Sequence, residues 1–253
     1  MNRTLGENMN DTNEVRETRG TATKVVLLAG AALAAGTAWL AVAQSGGESD
    51  RKIAELRAQA ETLERTVRRL EDEHAIENLQ RSYGFFIDKA LWNEAADLFA
   101  EDGTLEIGGY GVFVGKARVR EFLTSLAPRG LTRGLLFDHM QLQPVVTVAP
   151  DGRTAQGRWR SFAQVGVHGE SGTWGLATYE NEYVKENGVW KIKKLHAFRR
   201  MVTPYEDGWG KTALPNTTPK KELPPDRPPS VEYAPYPDPF SPPYHYSHPG
   251  AGG

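Results

Sequence analysis

The middle of this 253-residue chain is predicted to form an α+β fold, a curved antiparallel sheet wrapped with three helices into a cone. Two patterns predict it. Between Ile76 and Phe99 apolar residues recur at three- and four-residue steps, the period of helices buried on one face. Beyond Gln143 the chain reads as long alternating segments separated by turns, the period of strands. A third observation isolates the region: an uncharged apolar run lies upstream of it and a proline-rich stretch follows it.

Taken in order, residues 1–23 are polar, with acidic and basic side chains offsetting one another. They cannot build a core and are expected to be disordered. Residues 24–43 follow, in which Val25–Ala43 carries no charge across nineteen residues. As a helix this run is about 28 Å long, close to the roughly 30 Å of a bilayer core. Arg16, Arg19 and Lys24 precede it and Glu48 and Asp50 follow, which orients the rest of the chain outward. Ala41-Val42-Ala43 also reads as a small-residue cleavage site. A cleaved signal peptide and a retained anchor thus both remain, with the anchor preferred. Either places the remainder outside the cytoplasm, in a periplasmic or similar space, with the anchor holding it to the inner membrane.

Residues 50–70 are nearly all helix formers, and Ile53, Leu56, Ala60, Leu63, Val67 and Leu70 make a seam of about three heptads. This is a helical stalk or a short coiled coil, the latter pairing copies of the chain as a homodimer or homotrimer. Residues 71–203 form the domain. Ile76, Leu79, Tyr83, Phe86 and Ile87 face the core from its first helix. Asp88 opens a second amphipathic segment carrying Leu91, Trp92, Ala95, Leu98 and Phe99. Asp102-Gly103 is expected to turn the chain into a first strand, Thr104 to Ile107. Val112 to Val114 pairs with it, and the helix KARVREFLTSL follows Gly115. Four long strands complete the sheet: Gln143 to Val148, Thr154 to Val167, Thr173 to Glu186 and Val189 to Val202. Glu186-Asn187-Gly188 supplies a tight hairpin between the last two.

Composition excludes several functions. A net charge of −2 offers nothing for nucleic acid. The absence of cysteine removes disulfides, thiolate catalysis and Cys-ligated zinc. Six histidines are scattered, and the one close pair, His245 and His248, lies in a proline-rich tail. No metal or other cofactor is therefore expected.

Tyr83, Asp88 and the run Leu98-Phe99-Ala100-Glu101-Asp102-Gly103 resemble the opening of the SnoaL-like family of the nuclear transport factor 2-like superfamily. The resemblance covers about residues 70–203. It implies the cone, and a hydrophobic small molecule bound in its interior. It does not specify a reaction, because the fold hosts many chemistries and also proteins with none. In the dehydratases and isomerases of the family, scytalone and bile-acid dehydratases among them, an Asp or Tyr near the first helix junction meets a His inside the cone. Tyr83, Asp88 and His139 fall at compatible positions. A carboxylate at Asp88 would fix the His139 tautomer and raise its basicity. His139 would remove a proton beside a carbonyl or aromatic ring, and Tyr83 would donate to the developing oxyanion. Arg199 is the candidate to hold an anionic or phenolic group, with His196 and Arg200 as rivals. Phe162 and Trp159 are candidates to stack on a ring. Each residue also has a structural reading: Asp88 as a helix N-cap, Tyr83 and His139 as packed core, Arg199 as a solvated strand end. The function expected is a cofactor-free lyase, dehydratase or isomerase acting on a hydrophobic cyclic or aromatic molecule. The alternative is a non-catalytic binding module or a membrane-tethered interaction module.

Residues 204–253 hold thirteen of the sixteen prolines, interleaved with Tyr205, Trp209, Tyr233, Tyr236, Phe240, Tyr244 and Tyr246. Proline at this density forbids helix and central strand. The aromatic content is too high for a free linker, so an extended arm docked on the domain or on a neighbouring subunit is expected.

Overall fold

The computed structural model describes residues 11–248 and 250, with side chains from residue 47 onward. The polar start and the apolar run Val25–Ala43 lie outside the side chains described. Among the described residues no helix is long and apolar enough to cross a membrane. The chain divides into two units, Met1–Arg65 and Thr66–Gly253. Helix α1 runs Asp11–Asp88, and in the first unit its seam residues Ile53, Leu56 and Leu63 are exposed.

The second unit is the predicted cone. The end of α1 is followed by α2 (Trp92–Asp97), β1 (Phe99–Ile107), β2 (Val112–Val114), α3 (Lys116–Leu126), β3 (Leu135–Val148), β4 (Thr154–Val167), β5 (Ser171–Glu186) and β6 (Val189–Pro204). The six strands form one sheet in the order β2-β1-β6-β5-β4-β3. All neighbours are antiparallel except β1 and β6, which run parallel. The α1 face read from the three- and four-residue steps is the buried one: Ile76, Tyr83 and Ile87 are in the core, with Leu79 and Phe86 packed on its margin. The β5–β6 hairpin turns on Asn187 and Gly188, both with positive φ, as a type I′ turn requires.

Three boundaries differ from expectation. Helix α2 starts at Trp92 with Leu91 as its N-cap, so Asp88 caps nothing there and instead ends α1. Strand β1 begins at Phe99, because Asp102-Gly103 is absorbed as an irregularity in the pairing with β6 rather than as a turn before the strand. Strand β3 begins at Leu135, which puts His139 inside the sheet opposite Ala163. A register shift between Leu142 and Val145, beside Pro144, divides β3. The pattern Gln143 to Val148 captured only the part after that break.

One end of the cone is closed by a satisfied polar network. Gln80 on α1 accepts from Asn181 Nδ2 (3.0 Å) and the Tyr183 hydroxyl (2.9 Å), and donates to Gln141 Oε1 (2.9 Å). Trp159 Nε1 donates to the same Tyr183 hydroxyl at 2.9 Å. Asp72 takes Lys185 Nζ at 2.6 Å and Trp190 Nε1 at 2.8 Å. Buried polar groups satisfied in this way specify one packing, whereas a half-satisfied set would be costly.

The proline-rich arm is docked on the domain. The Val112 N–H donates to the Arg227 carbonyl at 2.9 Å, and the Tyr236 N–H to the Arg200 carbonyl at 2.8 Å. Asp226 pairs with Arg118. Tyr233 and Phe240 stack at 4.5 Å and pack against Phe198. Ser230 donates from its N–H (2.7 Å) and hydroxyl (2.6 Å) to Glu106, a carboxylate only 3% exposed. Extended, proline-rich chain can dock because several of its aromatic rings and N–H groups find partners on the domain.

Candidate functional site

The concave side of the sheet, α1 and α3 enclose a cavity of about 310 Å³, at the small end of the roughly 300–1,000 Å³ typical of ligand sites. Most of its wall is apolar: Ile87, Ile107, Phe122, Phe137, Val165 and Leu176 are representative. Its polar groups are Tyr83 from α1, Tyr110 from the β1–β2 turn, His139 from β3, Ser161 from β4, Thr173 and Tyr179 from β5, Arg199 from β6 and Thr217 from the arm. Among the described residues no Asp or Glu lines it.

His139 and α1 are held close by Gly84. A Cβ on Gly84 would lie 3.0 Å from the His139 carbonyl oxygen and 2.9 Å from Gln141 Cγ, so only glycine lets β3 pack this near the helix. Asp88 Oδ1 then accepts a hydrogen bond from the main-chain N–H of His139 at 2.6 Å. The carboxylate is thus in contact with His139 through its backbone rather than through its imidazole. The ring stacks on Phe137 (5.9 Å between centroids), and its Nδ1 is buried with no partner. Desolvation lowers the His139 pKa from 6.5 to about 4, with Asp138 opposing, so the imidazole is neutral near pH 7. Burial raises the Asp88 pKa, partly offset by the bond from His139.

Tyr83 is 2% exposed, and burial together with the neighbouring Tyr179 pushes its pKa well above 10. Tyr179 is raised by burial too, against hydrogen bonding with Gln141 and Ser161. Both phenols are therefore protonated donors. Arg199 follows Ala197 inward by ordinary strand alternation, and a bulge comes directly after it. Between Leu176↔Met201 and Ala177↔Arg199 the β5–β6 register shifts, leaving Arg200 as the extra residue of a bulge. Val202 consequently lines the cavity with Arg199, while Arg200 and Met201 line the other side of the sheet. Gly108 has φ +55, and a Cβ there would meet Arg199 Cδ at 2.7 Å. Its absence makes room for the arginine stem.

Of the residues singled out in the sequence, Tyr83, His139 and Arg199 line one cavity, and Asp88 supports its β3 wall from behind. The other candidates lie elsewhere. Trp159 is 1% exposed, bound into the Tyr183 network at the closed end. Phe162 is on the opposite face, stacked on Trp174 at 5.3 Å beside a groove of about 700 Å³ that also takes Arg160 and Arg200. His196 is buried under the arm, stacked on Phe198 at 3.7 Å with Glu106 at 3.6 Å, and desolvation lowers its pKa to about 3. Ser161, Tyr110 and Thr217 had no sequence signal, since short polar residues on strands and turns are ubiquitous. Tyr179 carried one, as an aromatic on a long strand of undetermined facing. Among the described residues no cluster of His, Cys, Asp and Glu could hold a metal ion.

A cone-shaped α+β domain with a mainly apolar cavity defines a class of small-ligand folds. Within that class the chain belongs to the SnoaL-like domain family, whose model matches residues 68–196. Among solved structures it is similar to a nuclear transport factor 2-like protein with a cystatin-like fold from Novosphingobium aromaticivorans (21% identity, 53% of this chain and 85% of that chain, TM-score 0.45). It is similar also to a hexachlorocyclohexane dehydrochlorinase from Novosphingobium barchaimii (21%, 55% and 93%, TM-score 0.49). A third is a protein of unknown function from Mycobacterium tuberculosis (24%, 49% and 69%, TM-score 0.43). None of them speaks to activity. No curated protein matches the chain.

Proposed function

We propose that the protein is a cofactor-free acid–base enzyme, a lyase or isomerase, acting on a small hydrophobic cyclic or aromatic molecule. The observation that carries this reading is the convergence of a neutral imidazole and neutral phenols in one small apolar cavity. In the reading, His139 takes a proton from a carbon beside a carbonyl. Tyr83 or Tyr179 donates to the oxygen on which charge develops, and the dry wall strengthens that interaction. A base whose conjugate acid is disfavoured by burial is weak in the free protein. Substrate charge that develops as the proton moves would stabilise the imidazolium.

The test is hydrogen–deuterium exchange at carbon. Cyclic and aryl ketones are incubated with the protein in D₂O and followed by NMR. Exchange accelerated by the wild type and reduced about 10²- to 10⁴-fold by His139→Ala supports proton transfer. A specific observation favours the second reading, a non-catalytic binding module: the carboxylate at Asp88 is engaged by the His139 main chain, and His139 Nδ1 has no partner. Ketones that bind without any exchange would establish that reading. Absence of both binding and exchange would remove the cavity from consideration as a site for such molecules.

A further inference from the structure

We propose that the cavity selects a carboxylate-bearing hydrophobic molecule, with Arg199 holding the carboxylate at the β6 wall and the body of the ligand reaching toward His139 on β3. This rests on the reading of the cavity as a small-molecule site, and narrows it to an anionic class.

Among the described residues Arg199 is the only charged one lining the cavity. Its guanidinium makes no ion pair or hydrogen bond with any described residue, and the groups that act on it electrostatically are two phenols, Tyr110 and Tyr233. Several other sheltered cations of the domain have a carboxylate: Arg158 with Glu180 at 2.5 Å, Lys185 with Asp72 at 2.6 Å, Lys116 with Glu101 at 2.5 Å; Arg200, whose Nη1 is also unpartnered, lies on the opposite face of the sheet. Arg199 is the unpaired cation that faces the cavity, where a ligand can reach it. An unpaired charge withdrawn from water is costly, and burial already disfavours the charged form. A ligand carboxylate removes that cost and matches the guanidinium fork with two parallel hydrogen bonds. The protein also devotes structure to the placement. Alternation with Ala197 faces Arg199 inward, Gly108 vacates the space its stem fills, and Thr217 of the arm lines the cavity with it.

The sheet order also constrains the ligand's length. Arg199 and His139 lie on β6 and β3, with β5 and β4 between them. Three strand spacings amount to about 14 Å of sheet, shortened across the cavity by curvature and by the side chains themselves. A molecule anchored at Arg199 therefore offers His139 a carbon separated from its carboxylate by roughly the length of a ring, not the carbon next to the carboxylate.

The experiment compares cinnamate with cinnamamide, equal in shape and different in charge, by NMR titration of the full chain at pH 7. Cinnamate is expected to bind at least tenfold more tightly. Arg199→Gln should abolish the preference while leaving cinnamamide affinity unchanged, and Arg199→Lys should retain part of it. Melting curves identify a variant that fails to fold, and the wild-type comparison decides the matter without it. Equal affinities for the two probes in the wild type would overturn the anionic inference and leave the small-molecule reading standing. A preference that survives intact in folded Arg199→Gln would overturn it as well. If neither probe binds, both readings fall.

Discussion

Removing the Asp88 carboxylate separates two roles that coincide at one residue. Asp88 ends α1, and its Oδ1 accepts the His139 N–H at 2.6 Å. β3 is the last strand of the sheet, so this N–H faces away from β4, toward the helix. Asp88→Ala therefore strands a sheltered N–H on an edge strand. A hydrogen bond to a charged group contributes about 1.5–3 kcal/mol. Desolvation of the carboxylate, visible in its raised pKa, opposes this and places the net effect near the lower end, about 1.5–2 kcal/mol. For a unit the size of Thr66–Gly253 each kcal/mol moves Tm by roughly 2–4 °C, so a fall of about 3–8 °C is expected. Asp88→Asn keeps an acceptor oxygen and should lose less than half of that. The same pair of variants, assayed for carbon-bound deuterium exchange, reads the second role. If the charge supports the His139 imidazolium, Asn and Ala should be equally damaging to exchange. If Asp88 acts through the main chain, Asn should retain most of it. An Asp88→Ala protein melting within 1 °C of the wild type would refute the reasoning, because the 2.6 Å bond would then contribute nothing measurable.

Acid should destabilise the protein early. The His139 pKa is about 4 when folded against 6.5 unfolded, so the unfolded chain takes up protons first and stability falls as pH drops from about 6.5 to 4, by up to roughly 3 kcal/mol from this group; denaturant midpoints measured across that window should flatten in His139→Gln, with the remaining slope from His196. Ser230→Ala removes the hydroxyl donor to Glu106 and should cost about 1.5–3 kcal/mol, while deleting residues 204–253 should lower Tm further or cause aggregation, since it uncovers Phe198 and leaves Glu106 without its donors; unchanged calorimetric melting would sink the docked-arm account. Val25–Ala43 should insert with Met1 on the cytoplasmic side, so that protease added to intact spheroplasts reaches the domain and spares the N-terminus; domain protected from protease there would contradict it.

Residues read from helical period were placed correctly because a helix face needs no tertiary information. Tyr83 falls four residues from both Leu79 and Ile87, and such a residue points into the core whatever the sheet does. Strand residues behave differently, because parity decides facing and a single extra residue reverses it. Trp159 and Phe162 are three apart on β4, so they face opposite sides and could never have lined one cavity; the alternation alone implied this. Arg199 shares its facing with Ala197, but the residues after it could not be assigned in the same way. With unbroken alternation after Arg199, Met201 would follow it inward and Val202 would face out. The bulge at Arg200 instead sends Met201 outward and Val202 inward, and nothing in Phe198-Arg199-Arg200-Met201 announces it. Asp88 shows a third limit. The residue type and the helix junction were legible, but its partner is a backbone N–H 51 positions away, a group that every residue except proline carries.

Polar satisfaction is distributed unevenly, and the distribution has a physical consequence. At the closed end, Gln80, Asn181, Tyr183 and Trp159 exchange hydrogen bonds within one network, so substitution there would leave several groups unpaired at once. At the cavity, His139 Nδ1 is buried without a partner and Arg199 has no counter-ion, so the polar side chains there lower stability in the ligand-free protein. Replacing a buried polar or charged group by an apolar one of similar volume is often neutral or stabilising, which means that stability alone gives this fold no reason to keep either residue. The two glycines flanking the site, Gly84 and Gly108, carry the entropic cost of flexible residues in order to bring β3 and the Arg199 stem into position. The closed end thus supplies the rigidity against which the open end can hold unpaired groups in place, and those unpaired groups are the ones a ligand entering the cavity would satisfy.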